Sequence, residues 1–156
     1  MAQPRHGGLE HREAAAEGSS RDRILEPARA RCRASIEVRR GSGEIRIFHV
    51  DYLDAQWLAN PLPGSGNKLI IRLWYEAEDS VENPVFAFKL HHATGVHLAS
   101  PNSALQQLST GSISAGRGYV DFIIDELGLL AGDYLLSTSI TDNARMHVYD
   151  AWEISH

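Results

Sequence analysis

Lys68-Leu69-Ile70-Ile71-Arg72-Leu73-Trp74-Tyr75-Glu76-Ala77 decides the fold. Leu69, Ile71, Leu73 and Tyr75 fall on one side of an extended chain. Ile70, Arg72, Trp74 and Glu76 fall on the other. Successive side chains of a strand point to opposite faces, so the alternation predicts a strand with one apolar face and one largely polar face.

The same period recurs outward from this stretch. Val85–His92 sets Phe86, Phe88 and Leu90 against Ala87, Lys89 and His91. Glu44–Leu53 alternates Ile45 and Ile47, then switches around His49. Tyr119–Ile124 turns Val120, Phe122 and Ile124 inward, and Asp133–Thr141 does the same with Tyr134, Leu136, Thr138 and Ile140. In the latter, Ser137, Ser139 and Thr141 face the other way. Val96–Ala99 and His147–Ile154 are shorter candidates. Turn residues separate the runs at Asn60–Gly66, Glu82-Asn83-Pro84, Ala93-Thr94-Gly95, Gly116-Arg117-Gly118 and Ala131-Gly132-Asp133. Seven to eight strands of this kind predict an all-β domain, with two antiparallel sheets packed face to face. One helical turn fits near Asn102–Leu108.

Composition divides the chain near Gly41. Residues 1–40 hold nine arginines against six acidic residues and no Phe, Tyr or Trp. So little apolar surface cannot offset the entropy of ordering, which predicts a flexible linker or tail. Ser20–Arg33 could form a short helix, anchored by Ile24 and Leu25. Residues 41–156 form the expected sandwich domain and carry six basic against fourteen acidic residues. An acidic body argues against nucleic acid, whose phosphates require a basic face. Cys32 is the only cysteine, so no internal disulfide and no cysteine-based zinc site can be built. Met1–Glu17 lacks the apolar run of a secretory signal, and no run of about 18 apolar residues occurs anywhere. A cytoplasmic location is the resulting expectation.

Three stretches carry a family resemblance. Arg40-Gly41-Ser42-Gly43-Glu44-Ile45-Arg46-Ile47 resembles the opening strand of the carbohydrate-binding C-terminal domain of O-antigen ABC exporters of the Wzt type. Leu69–Ala77 with Val81-Glu82-Asn83-Pro84-Val85-Phe86-Ala87-Phe88 resembles its central strand pair. Leu127-Gly128-Leu129-Leu130-Ala131-Gly132-Asp133-Tyr134 is similar to its approach to a late strand. The resemblance covers residues 40–154. It implies an immunoglobulin-like sandwich that dimerises and recognises a lipid-linked polysaccharide without chemistry. The expected partners are the ATPase and membrane subunits of the transporter, at the inner face of the inner membrane. Two departures bear on this. Residues 1–40 contain no phosphate-binding loop of the Gly-x-x-x-x-Gly-Lys-Ser/Thr kind, so the ATPase is expected on another chain, or the sequence is a remnant or an excerpt. The sequence also stops soon after Trp152-Glu153-Ile154, where the resemblance implies a longer final strand; if strand exchange between protomers uses that segment, dimerisation is in doubt.

Sugar binding needs an apolar ring face beside planar polar groups. The polar strand faces supply Arg72, Trp74 and Glu76, then Lys89 and His91, then Tyr119 and Asp121 as carbohydrate-binding candidates. Trp74 among charges is the leading one; its alternative is packing beneath a loop or in a dimer contact. Trp57 lies in an irregular stretch, and Trp152 is expected in the core. His91, His92 and His97 invite a metal reading, but adjacent strand residues diverge, while zinc wants converging nitrogens at about 2.0–2.1 Å. No metal and no cofactor is expected. Nor is an enzyme: no Gly-x-Ser-x-Gly elbow occurs. Asp121 and Glu76 as a glycosidase-like carboxylate pair would require a cleft that nothing in the sequence signals. The alternative function is a sandwich that docks a protein through the Trp74 face or an exposed edge.

Overall fold

The computed structural model describes residues 2–5, 30–34, 38–60, 66–99, 110–126 and 128–153. The described elements are β1 (Ala2–Arg5), β2 (Ala30–Ala34), β3 (Val38–Arg40), β4 (Ile45–Leu53), β5 (Leu69–Ala77) and β6 (Val81–Glu82). They continue with β7 (Val85–His92), β8 (His97–Ala99), β9 (Ser112–Ile113), β10 (Gly116–Ile124), β11 (Gly132–Thr141) and β12 (Val148–Glu153). No helix occurs among the described residues. The first sheet has the order β1-β10-β5-β4; the second runs β3-β12-β11-β7-β8, with β2 also on β11. All pairings are antiparallel except β2 with β11.

The inward faces are the ones that alternation selects. Leu69, Ile71, Leu73 and Tyr75 of β5, Phe86, Phe88 and Leu90 of β7, and Val120 and Phe122 of β10 share one buried cluster with Leu136, Ile140 and Trp152. Phe88 and Phe122 meet edge to face across the sheets with centroids 5.1 Å apart, and Tyr75 meets Phe86 at 5.4 Å. Each such side chain contributes about 1.5–3 kcal/mol through burial. This is an all-β sandwich, as the strand period requires.

Several expectations change. Ten strands, not seven or eight, lie between residues 38 and 153, because segments of two or three residues also pair. The sandwich starts before Gly41: β3 pairs with β12, and Arg39 reaches Asp150. Within the expected flexible segment, β1 pairs with β10 and β2 with β11. The end of the expected Ser20–Arg33 helix is therefore strand from Ala30 on. Residues 20–29 and the expected turn near Asn102–Leu108 lie outside the described residues, as does Ile154.

Glycine is required at two places. Gly41 has φ of +135°, and a Cβ there would lie 2.4 Å from the Tyr149 backbone oxygen. At Gly118 a Cβ would meet the Tyr75 hydroxyl, its cross-strand partner, at 2.4 Å. The Tyr75 ring therefore lies over bare backbone, 2% exposed.

Burial also pushes the Tyr75 hydroxyl up to about 12. The unfolded phenol ionises near pH 10 while the folded one stays neutral, so its contribution is complete below pH 10 and is lost as pH rises towards 12. Denaturant titrations should show stability falling by about 1.4 kcal/mol per pH unit over that window, and Tyr75→Phe should remove this part of the slope.

Candidate functional site: the outer face of the first sheet

Register builds three rows across β10, β5 and β4. Asp121, Arg72 and Asp51 form one row; Tyr119, Trp74 and His49 the next; Arg117, Glu76 and Arg46 the third. Directly opposed residues share a face, so all nine look away from the core. A bulge between Ile47 and His49 adds Phe48 to this set. The extra residue breaks the alternation, so Phe48 and His49 are both exposed.

Polar contacts lock the rows. Arg72 donates Nε to Asp121 Oδ1 at 2.7 Å and Nη2 to Oδ2 at 3.0 Å. Burial alone would lower the Arg72 pKa, but the hydrogen bonds and charge of Asp121 outweigh it and raise the value. The guanidinium stays charged and lies 3.9 Å from the Tyr119 ring centroid. Trp74 Nε1 donates to Asp51 Oδ2 at 2.7 Å, and Asp51 Oδ1 lies 2.8 Å from His49 Nε2. Arg117 Nε donates to Glu76 Oε1 at 3.0 Å.

Aromatic side chains flank this lattice. The loop after β4 turns at Asp54, whose Oδ1 accepts from Gln56 N at 2.9 Å and Leu58 N at 3.0 Å. That turn holds Trp57 at φ +63° and sets its ring 5.4 Å from the Arg72 guanidinium. On the other side Phe48 lies 6.5 Å from Trp74 and 5.2 Å from the Arg117 guanidinium. Phe48 is 40% exposed and Trp57 36%, whereas Trp74 is only 5% exposed.

The sequence-predicted residues divide accordingly. Arg72, Trp74, Glu76, Tyr119 and Asp121 are brought together. Lys89 and His91 are not: they lie on β7, in the second sheet, on its outward side. The two outer faces are separated by the whole core, and packed sheets alone stand about 10 Å apart. Asp121 is not a solvated reader of hydroxyls, since it is fully buried beneath Arg72. Trp74 is outward but covered, with Tyr119 4.9 Å away, so it supports the face rather than presenting a ring. The exposed rings are those of Phe48 and Trp57, which strand alternation missed. The switch at His49 and the Asp54 turn are the signals that could have found them.

Catalytic geometry is absent from two candidate sets. Glu76 and Asp121 belong to rows four residues apart, roughly 13 Å along the strands, beyond the carboxylate spacing of glycosidases. Ser42 Oγ lies 2.6 Å from His147 Nε2 and also donates to Glu44, whose pKa is lowered chiefly by that hydrogen bond. Here the carboxylate sits 3.6 Å from the same imidazole nitrogen instead of orienting Nδ1, so the trio is not a relay. His91 and His97 pair edge to face at 5.2 Å, and no group of three or more metal-ligating residues converges among the described residues.

Fold and face together define an all-β sandwich carrying an aromatic-flanked, charge-paired surface on one sheet. A family model described as the Wzt C-terminal domain matches residues 37–155, and the chain belongs to that family. Membership ties it to O-antigen ABC export. Among solved structures, the crystal structure of the C-terminal domain of Wzt is similar, with 23% identity and a TM-score of 0.62 over 77% of each chain. No curated protein matches. Among the described residues no helix is long and apolar enough to cross a membrane.

Proposed function

We propose that the outer face of the first sheet binds a segment of a bacterial O-polysaccharide, non-covalently and without catalysis, for export by an ABC transporter. The observation that carries this reading is the pair of exposed rings, Phe48 and Trp57, on either side of the locked Arg72–Trp74–Tyr119 lattice. Rings of this kind stack on the C–H face of a sugar. His49 and Asp51 share this face and are partly exposed, so they can meet hydroxyls. The exposed rings of Phe48 and Trp57 are linked through the covered Trp74 and Arg72 by steps of 6.5, 5.6 and 5.4 Å, so the face offers two separate stacking positions. Polymer recognition fits this better than monosaccharide capture. The transporter ATPase and membrane subunits are the partners in this reading, which sets the domain on the cytoplasmic side of the inner membrane and admits a homodimer.

Alanine at Trp57 or Phe48 should weaken polysaccharide binding by about 1 kcal/mol each, roughly fivefold in Kd, with unchanged unfolding midpoints. Calorimetric titration checks this. Unaltered affinity in both variants contradicts the placement of the site. Binding of a protein partner that depends on Trp57 and Leu58, with no response to sugar, would favour docking instead.

A further inference from the structure

We infer that the polysaccharide taken by this face is uncharged, an inference that rests on the glycan reading above. The reason is electrostatic. Each arginine that β4, β5 and β10 turn to this face already holds a carboxylate: Arg72 with Asp121 at 2.7 Å, Arg117 with Glu76 at 3.0 Å, and Arg46 with Glu78 at 3.6 Å. Asp51 is a further acid, committed to Trp74 and His49. Three arginines therefore face four carboxylates, and Lys68, just before β5, is paired in turn with Asp125 at 3.3 Å.

Recognition of uronate, sialate or phosphate groups calls for guanidinium or ammonium groups free to pair with them. Here an acidic polymer would have to displace an internal carboxylate. In the Arg72–Asp121 pair that carboxylate is fully buried and held by two bonds. The surrounding body adds repulsion, because residues 41–156 carry eight more acidic than basic groups. A neutral polymer meets none of these costs: it stacks on Phe48 and Trp57 and exchanges water for hydroxyl contacts. The face thus excludes acidic chains by pairing its own cations, a discrimination against the wrong ligand.

The test compares a panel of neutral polysaccharides (mannans, galactans, glucans) with acidic ones (alginate, polygalacturonate, polysialate) at low and high salt, using the full chain. Saturable binding confined to neutral polymers, unchanged between low and high salt, is expected. Salt-sensitive binding of an acidic polymer overturns the inference and leaves the glycan reading standing. No binding to any polymer overturns both. A second arm uses Glu76→Gln, which releases Arg117 beside Phe48 and removes one negative charge. The ratio of acidic to neutral affinity should rise severalfold and collapse with salt. A ratio that does not move contradicts the electrostatic argument.

Discussion

Asp150→Ala is expected to lower the unfolding free energy by about 3 kcal/mol or more. Asp150 is 3% exposed and accepts three hydrogen bonds: Arg39 Nε at 2.9 Å, Arg39 Nη2 at 3.1 Å and Ile47 N at 2.8 Å. Arg39 Nη2 also donates to the Ile47 carbonyl at 3.0 Å. Asp150 and Arg39 belong to the second sheet and Ile47 to the edge of the first, so this polar clasp closes one side of the sandwich. Ile47 is the last regularly paired residue before the bulge. Without Asp150 its N–H loses its partner in a buried setting, which costs about 1–3 kcal/mol. Arg39 also loses its counter-charge, but its half-exposed side chain can turn to water, so the effect stays at the low end of the range for buried pairs. Urea denaturation checks this: the midpoint should fall with little change in slope. A midpoint within error of the wild type would remove the clasp from the account.

Asp121→Ala should cost about 3–5 kcal/mol, because it strands the Arg72 guanidinium in a largely covered position. The double variant Arg72→Met/Asp121→Leu separates stability from function. Replacing a buried ion pair by apolar residues of similar volume is often neutral or stabilising, so the double variant should recover most of the lost stability. Polysaccharide binding should stay lost, since Arg72 positions Trp57 and Tyr119 through its cation–π contacts. Denaturation and calorimetry on the same samples give both values. Recovery of stability together with full affinity would show the pair to be structural only.

The core was legible because strand alternation reports burial on the inward face directly. Leu69, Ile71, Leu73 and Tyr75, and Phe86, Phe88 and Leu90, are all buried as their spacing requires. Which outward faces share a sheet was not legible. Arg72 and Lys89 stand on strands of the same character, and only pairing assigns β5 to one sheet and β7 to the other. Exposure within a polar face was not legible either. Trp74 and Asp121 alternate outward, yet cross-strand neighbours cover them. Phe48 reaches the surface through a bulge and Trp57 through a side-chain-capped turn, and neither follows a period. Arg39, read as linker, proved to be part of the clasp because its partner lies 111 residues away.

Amide NMR of the protein titrated with the O-polysaccharide of its own organism tests the central claim most directly. Saturable shifts are expected only on the outer face of the first sheet, at Phe48, His49, Trp57, Arg72, Trp74 and Tyr119, with Lys89 and His91 silent. Shifts centred on Lys89 and His91, or none at millimolar ligand, would contradict it.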